Sequence, residues 1–377
     1  MRDISRTGPI ALVRPEDRRS LLRVHWPLAL WALALCAIGL FVVRSASTDL
    51  GAGHATRQAM WIGVGIVAAL ALGIADYRRL GALSPLIWGG SVFLLAVVLG
   101  LGTVGGGARS WLRFGAVGFQ PIEVAKVATI LFLARVLSSI DTPQLEVRHL
   151  ARVAGIVGLP SLLLILQPDL GGVGMFGLMT VAMLLIAGLR LRWIFLSGVC
   201  LLILGGVAWQ WVLHDYQKER VLTFLMPERD PLGAGYQVRQ SKIAVGSGGI
   251  SGRGYLEGTQ SQLRFLPARH TDFVFAVLAE EWGFIGVAVT LALFALYIQA
   301  ALLIGQRARD RLGVLMVAGV LGFFVAHVIY NTAMVVGLLP ITGIPIPFLS
   351  YGGSFVVYNL AATGLLLGID YRRYVNR

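Results

Sequence analysis

Charge is scarce in this chain, and so are the residue patterns that mark soluble nucleotide- or metal-dependent enzymes. Of 377 residues only 14% are Asp, Glu, Lys or Arg, while 56% are hydrophobic. A water-soluble domain carries about 25% charged residues, so a single soluble globule is excluded. There are two cysteines, Cys36 and Cys200, each inside an apolar run. Neither a disulfide framework nor a zinc site is encoded, and both thiols read as buried packing groups. The chain has no G-x-x-x-x-G-K-S/T loop, no H-E-x-x-H and no Cys/His cluster. P-loop nucleotide hydrolysis and built-in zinc chemistry therefore drop out, and no metal-ligating residues are assigned. No Ser, His and Asp stand at a spacing from which a triad can be argued.

What is abundant is apolar length. Ten runs, roughly 24–43, 58–75, 82–101, 121–138, 151–166, 171–189, 194–213, 273–304, 312–336 and 350–369, have the length a helix needs to cross a bilayer. Their apolarity is unbroken where barrel strands would alternate. The expected fold class is all-α, a polytopic membrane protein of about ten transmembrane helices. Residues 24–370 form one membrane domain without a soluble appendage.

The basic residues orient it. Of 32 Lys and Arg, 19 lie in the N-terminal arm 1–23, in alternate short loops and in the tail 371–377. The short loops opposite carry only Arg44, Arg57, Arg109 and Arg113. The basic side is cytoplasmic, so both termini are cytoplasmic, as an even number of spans requires. The arm lacks a small-residue cleavage site and reads as a cytoplasmic arm rather than a signal peptide. The net charge of +13 is this topology signal scattered over loops. It forms no patch, and no nucleic-acid partner is expected.

Two outer loops stand out. The loop 214–272 opens on the charged stretch His214–Arg220, then becomes glycine-rich, with a short amphipathic helix expected near 236–247 on the membrane. A loop this long without structure of its own is uncommon unless it is functional or disordered, and its apolar content argues against disorder. The second, 337–354, contains Pro340, Pro345 and Pro347 and no charge. Such a helix-broken apolar segment must be buried in protein or line a cavity, so it dips back toward the bilayer.

Ionisable residues at or within the spans are the candidate chemistry, because lipid makes them costly. Asp272 stands where the long loop meets the eighth span, with Arg269 and His270 beside it. It suits a general base, and Thr271 or Asp272 also suits a helix cap. Glu123 and Lys126 share one face of the fourth span, as a structural ion pair or as a substrate site in which Lys126 holds phosphate. Arg109, in Gly105-Gly106-Gly107-Ala108-Arg109-Ser110-Trp111, is an anion-binding candidate or an interfacial arginine. Asp169 is expected to cap the sixth span. At least one of Glu280 and Glu281 must point inward or pair. His327 and Asn331 are expected to make interhelical hydrogen bonds.

These segments, in this order, resemble the SEDS family (shape, elongation, division and sporulation). The resemblance rests on Gly107–Trp111, Gln120-Pro121-Ile122-Glu123-Val124-Ala125-Lys126, Gln167-Pro168-Asp169-Leu170-Gly171, His270-Thr271-Asp272-Phe273 and Pro347–Ser354, and covers nearly the whole chain. The segments 240–249 and 258–262 are more similar to the family's elongation branch than to its division branch. The chain departs from the family pattern at Ser110, Ile122, Gly172, Arg264 and Ala268.

The resemblance implies a lipid-donor glycosyltransferase fold and a peptidoglycan glycosyltransferase that polymerises lipid II at the outer face of the bacterial cytoplasmic membrane. The family's essential aspartate falls on Asp272. The substrate-binding residues assigned with it are Arg109, Glu123, Lys126, Lys242, Gln262, His270 and Ser350. The expected partners are lipid II with the growing glycan strand, membrane lipid and a class B penicillin-binding protein. No cofactor is assigned, and a divalent cation, Mg or Mn, is left as an aid at the departing diphosphate. A lipid II flippase and a non-catalytic scaffold are the alternatives. A flippase would place cavity charges on both faces.

Overall fold

The computed structural model describes residues 24–48, 53–105, 108–114, 117–142, 144–211 and 233–375, with scattered positions between 218 and 230. The arm 1–23, most of the His214–Arg220 stretch, Gly106, Gly107 and the end of the tail lie outside the described residues.

Among the described residues, ten helices of 18 or more residues occupy the ten expected runs. They are α1 Pro27–Ala46, α2 Gly53–Ile74, α3 Tyr77–Leu101, α4 Pro121–Ser138, α5 Val147–Leu166, α6 Leu170–Ala187 and α7 Leu191–Trp211. Two shorter helices follow, α8 Ala234–Ser247 and α9 Thr259–Gln262. The last three long ones are α10 Val274–Arg307, α11 Arg311–Val335 and α12 Gly353–Val375. Eight of the ten are long and apolar enough to cross a membrane on their own composition. The other two are α7, whose apolar part is Phe195–Trp211, and α4. Helix α4 carries Glu123, Lys126 and Arg135, and most of its residues between Pro121 and Leu137 are buried, packing against α3, α11 and α12. A helix buried on most faces belongs at the centre of the bundle, where its charges meet protein rather than lipid.

One end of the bundle gathers the basic loops. Arg78 Nε meets Asp310 Oδ2 at 2.9 Å, and Arg372 reaches Asp76 at 3.4 Å. Arg135 donates to the Ala82 carbonyl at 2.6 Å, and Arg311 to the carbonyls of Ile140 and Ala187. Residues from the predicted inner loops thus meet at one face, as the alternation of charge requires.

The opposite end is built from loops. An antiparallel sheet in the order β1-β2-β3 (Thr103–Gly105, Ala108–Phe114, Val117–Phe119) fills the α3–α4 connection. It was not anticipated, since the glycine-rich sequence there lacks the alternation that marks strands. The helix expected near 236–247 is α8. It packs on α10 and α11 instead of lying only on lipid, and Ser241 Oγ donates to the Val335 carbonyl at 2.7 Å.

Helix α10 is broken at Gly283, whose φ of 66° and ψ of −162° no side-chain-bearing residue holds cheaply. The backbone groups released there are taken up by the loop after α8. Phe284 N–H donates to Gly249 O at 2.9 Å and Ile285 N–H to Ile250 O at 3.1 Å. Arg253 and Gly254 N–H donate to the carbonyls of Glu280 and Glu281 at 3.0 and 3.1 Å. Satisfaction of freed backbone by protein is the condition for breaking a helix at membrane depth. Both acids near the break are paired. Glu280 accepts from Gln260 N–H at 2.7 Å and Ser261 N–H at 3.2 Å, while Glu281 accepts from Ser45 Oγ and Gln262 Nε2.

Cys36 is buried as expected, but Cys200 is exposed. Helix α7 turns Phe195 and Leu202 outward, 77% and 79% exposed. A thiol is as compatible with lipid as with a core, so hydrophobicity alone does not say which way it faces.

Candidate active site

Four charged residues of the motifs expected at the outer face converge on a cavity of about 260 Å³ bounded by α4, α6, α11 and the loop before α12. Asp272, Asp169, Glu123 and Lys126 all line it, with Trp111 and Tyr351 contributing rings. Three carboxylates face one ammonium.

Asp272 ends a turn in which its own N–H and that of Phe273 both donate to Ala268 O, at 3.1 and 3.2 Å. The cap of α10 is Phe273, with no side-chain capping bond, so the capping role expected for Thr271 or Asp272 is not adopted. The carboxyl is directed to the cavity because the turn places the helix start one residue later. Three consecutive carbonyls then fix this segment. His270 O accepts from Tyr351 N–H at 2.9 Å, Thr271 O from Ser350 Oγ at 2.6 Å, and Asp272 O from Asn331 Nδ2 at 2.8 Å. Two of the three clamps come from the proline-rich loop, which is itself held by His327 Nδ1 on Pro345 O and Asn331 Nδ2 on Ile344 O, both at 2.8 Å. Ile344, Ile346, Phe348 and Leu349 are buried, so the loop is packed into protein as its composition required. His327 and Asn331 were expected to bond to another helix. They bond instead to this loop and to the Asp272 turn, because broken backbone offers carbonyls that helices keep for themselves.

Lys126 Nζ lies 2.9 Å from Glu123 Oε1, with both residues buried. The rings of Phe323, Phe355 and Tyr358 surround the ammonium at 4.3, 5.6 and 5.6 Å from their centroids. A carboxylate and an aromatic cage thus hold this charge. Lys126 forms the ion pair with Glu123 and also lines the cavity. Asp169 caps α6, Oδ1 accepting from Gly172 N–H at 2.8 Å, and also faces the cavity. Two positions at which the sequence departs from the SEDS pattern touch. A Cβ added to Gly172 would lie 2.5 Å from Ile122 Cδ1.

Five other residues assigned to substrate sit elsewhere. Arg109, on β2, is exposed and donates Nη1 to Leu99 O at 3.0 Å, outside the cavity lining. Its strand turns the side chain back to the end of α3, where free helix carbonyls attract a cation. Lys242 is exposed and rests against Gly337. Gln262 faces away from the cavity and donates Nε2 to Ser45 O at 3.2 Å and Ser45 Oγ at 3.0 Å, tying the long loop to α1. Ser350 is fully buried and positions Thr271 rather than lining the cavity. His270 packs edge-on against His54 and Tyr351, with ring centroids 5.5 and 5.7 Å apart. Sequence reasoning missed Thr342, Gly343 and Tyr351 as lining residues. Their only signal was the charge-free, proline-rich character of their loop. His54, at the start of α2, carried none.

Among the described residues no three His, Cys, Asp or Glu groups are placed to share a metal ion.

The model of the cell cycle proteins FtsW, RodA and SpoVE matches residues 26–375. The chain is 40% identical over 342 residues to the peptidoglycan glycosyltransferase MrdB of Escherichia coli, covering 90% of this chain and 92% of that one. It also superposes on a solved peptidoglycan synthase complex described as coordinating polymerization and crosslinking. The TM-score there is 0.83 and the identity 33%, over 94% of this chain and 99% of the other. The rod shape determining protein RodA of Thermus thermophilus gives a TM-score of 0.72 at 30% identity, over 94% and 98% of the two chains.

Proposed function

The chain belongs to the FtsW/RodA/SpoVE family, the SEDS proteins, and from that premise we infer that it is a peptidoglycan glycosyltransferase with Asp272 as its general base. The observation that carries the reading is the Asp272 turn: a half-buried carboxyl on a cavity wall, with its own carbonyl and the two before it each held by a separate donor. Such fixing keeps a base within reach of its proton without reorganisation during reaction.

The substrate we assign is lipid II, a disaccharide-peptide carried on a polyprenyl diphosphate. An acceptor sugar hydroxyl attacks the anomeric carbon of the donor glycan as the C–O bond to diphosphate breaks. The hydroxyl is a poor nucleophile at neutral pH, and Asp272 removes its proton. An α-linked donor gives a β-linked product in one displacement. One carboxylate is then enough, in contrast to the close pair that a retaining glycosidase needs. Arg109 and Lys242 are exposed outside the cavity at the same end of the bundle and are the cations assigned to the leaving diphosphate.

The basic end of the bundle lies in the cytoplasm, so the cavity opens to the outer face and both termini are cytoplasmic. The likeness to a complex that joins polymerization with crosslinking supports a class B penicillin-binding protein as partner. Transport would need the cavity charges to continue across the bundle. The carboxylates and the ammonium that line this cavity come from the motifs expected at the outer face, while at the other end Arg311 and Arg135 are bonded to the carbonyls of Ala187 and Ala82.

The test is purified Asp272→Asn with lipid II in detergent, where sidedness is abolished and glycan chains arise only from catalysis. The variant inserts normally and makes no polymer. Polymerisation at the wild-type rate would sink the assignment.

A further inference from the structure

The floor of the Asp272 cavity holds a histidine that the mechanism above does not use. His327, on α11, lines the cavity and is 2% exposed. Its Nδ1 lies 2.8 Å from the carbonyl oxygen of Pro345. A carbonyl only accepts, so Nδ1 carries the ring proton, and Nε2 of the neutral ring is then an acceptor. Among the described residues Nε2 has no hydrogen-bond partner, and neither does Glu123 Oε2 beside the same cavity. Two buried acceptors at one wall are costly in isolation and are expected to meet a donor.

The charges say which kind of ligand brings that donor. Glu123, Asp169 and Asp272 line the cavity against the single ammonium of Lys126, which Glu123 and the aromatic rings already hold. A diphosphate would meet net negative charge and unpartnered acceptor atoms. A neutral saccharide, rich in O–H and N–H, meets the acceptors it needs. We propose that His327 is a substrate-positioning residue whose Nε2 accepts a hydrogen bond from a hydroxyl or acetamido N–H of the saccharide, and that the deep cavity holds sugar while the diphosphate stays outside it. This deepens the reading of the cavity as the glycosyl-transfer site and rests on it.

The two ring nitrogens have separable duties, which makes the test specific. His327→Asn places an amide nitrogen where Nδ1 lies, so it keeps the clamp on Pro345 and removes the cavity acceptor. His327→Gln reaches toward the Nε2 position and gives up the clamp. With the full chain and lipid II in detergent, His327→Asn is expected to unfold at the wild-type temperature. Its KM rises about tenfold, the loss of one well-placed hydrogen bond, with kcat little changed. His327→Gln melts earlier but keeps a KM near wild type. A wild-type KM in His327→Asn overturns the proposal. Should His327→Asn fail to accumulate, His327→Gln decides. A KM near wild type upholds the role of Nε2, and a raised KM assigns His327 to the clamp alone. Asp272→Asn run alongside separates the two levels. Full activity there defeats the assignment of Asp272 and its cavity to the reaction, whereas an inactive Asp272→Asn beside an indifferent His327→Asn defeats only this inference.

Discussion

The Asn331 side chain joins the two halves of the active site through one nitrogen. Its Nδ2 donates at 2.8 Å to the Asp272 carbonyl and at 2.8 Å to the Ile344 carbonyl. The base and the loop that lines the same cavity are therefore held in register by a fully buried residue of α11.

Replacing Asn331 by Ala leaves both carbonyls without that donor. Stability is expected to fall by about 1–3 kcal/mol, the cost of orphaning buried acceptors. The larger effect falls on turnover, because the carboxyl loses its fixed position. Thermal unfolding and kcat for lipid II, measured on the same preparation, check this. A variant with a lowered melting temperature and wild-type kcat would show that the clamp serves folding only.

Lys126 and Glu123 are expected to behave as a unit. Lys126→Ala strands a carboxylate at a site that Phe323, Phe355 and Tyr358 line with rings, and breaking a buried pair costs about 3–5 kcal/mol. Little protein should accumulate in the membrane. Removing both charges in Glu123→Leu/Lys126→Met should restore accumulation. Quantitative blotting of membrane fractions decides it. Normal levels of Lys126→Ala with weakened donor use would return Lys126 to the phosphate-binding role.

Gly172 and Ile122 compete for one volume. Gly172→Thr drives a side chain into Ile122 Cδ1, where even a bare Cβ would stand at 2.5 Å. Overpacking of this kind costs roughly 1–3 kcal/mol. Ile122→Ser should relieve it, so the double variant is more stable than Gly172→Thr alone. A coupling energy on the order of 0.5–3 kcal/mol is the expected size for contacting residues. Additive melting-temperature shifts across the four proteins would disprove the contact.

What the sequence legislated and what it left open divide along one physical line. Ten apolar runs fixed ten helices, since a backbone in hydrocarbon has no partner but itself. Alternating basic loops fixed which ends meet, and Arg78, Arg135, Arg311 and Arg372 do lie together. The cost of charge in lipid marked Asp272, Glu123, Lys126, Glu280 and Glu281 as residues needing a partner or a cavity. Direction was not legible. Arg109 and Asp272 stand in equally distinctive motifs, yet one turns to the end of α3 and the other into the cavity. That choice belongs to a strand register in one case and to a turn closed on Ala268 in the other. Gln262 and Ser350 could not be told from substrate ligands, because a buried polar side chain binds whatever carbonyl or carboxylate the fold brings to it. Only the tertiary structure brought Ser45 to Gln262, and Thr271 to Ser350. The chain's composition decided that it crosses a membrane; the clamping of the Asp272 turn by the loop before α12 and by Asn331 decided where its chemistry stands. Freed backbone groups there must find partners across the fold, and no local run of residues contains those partners.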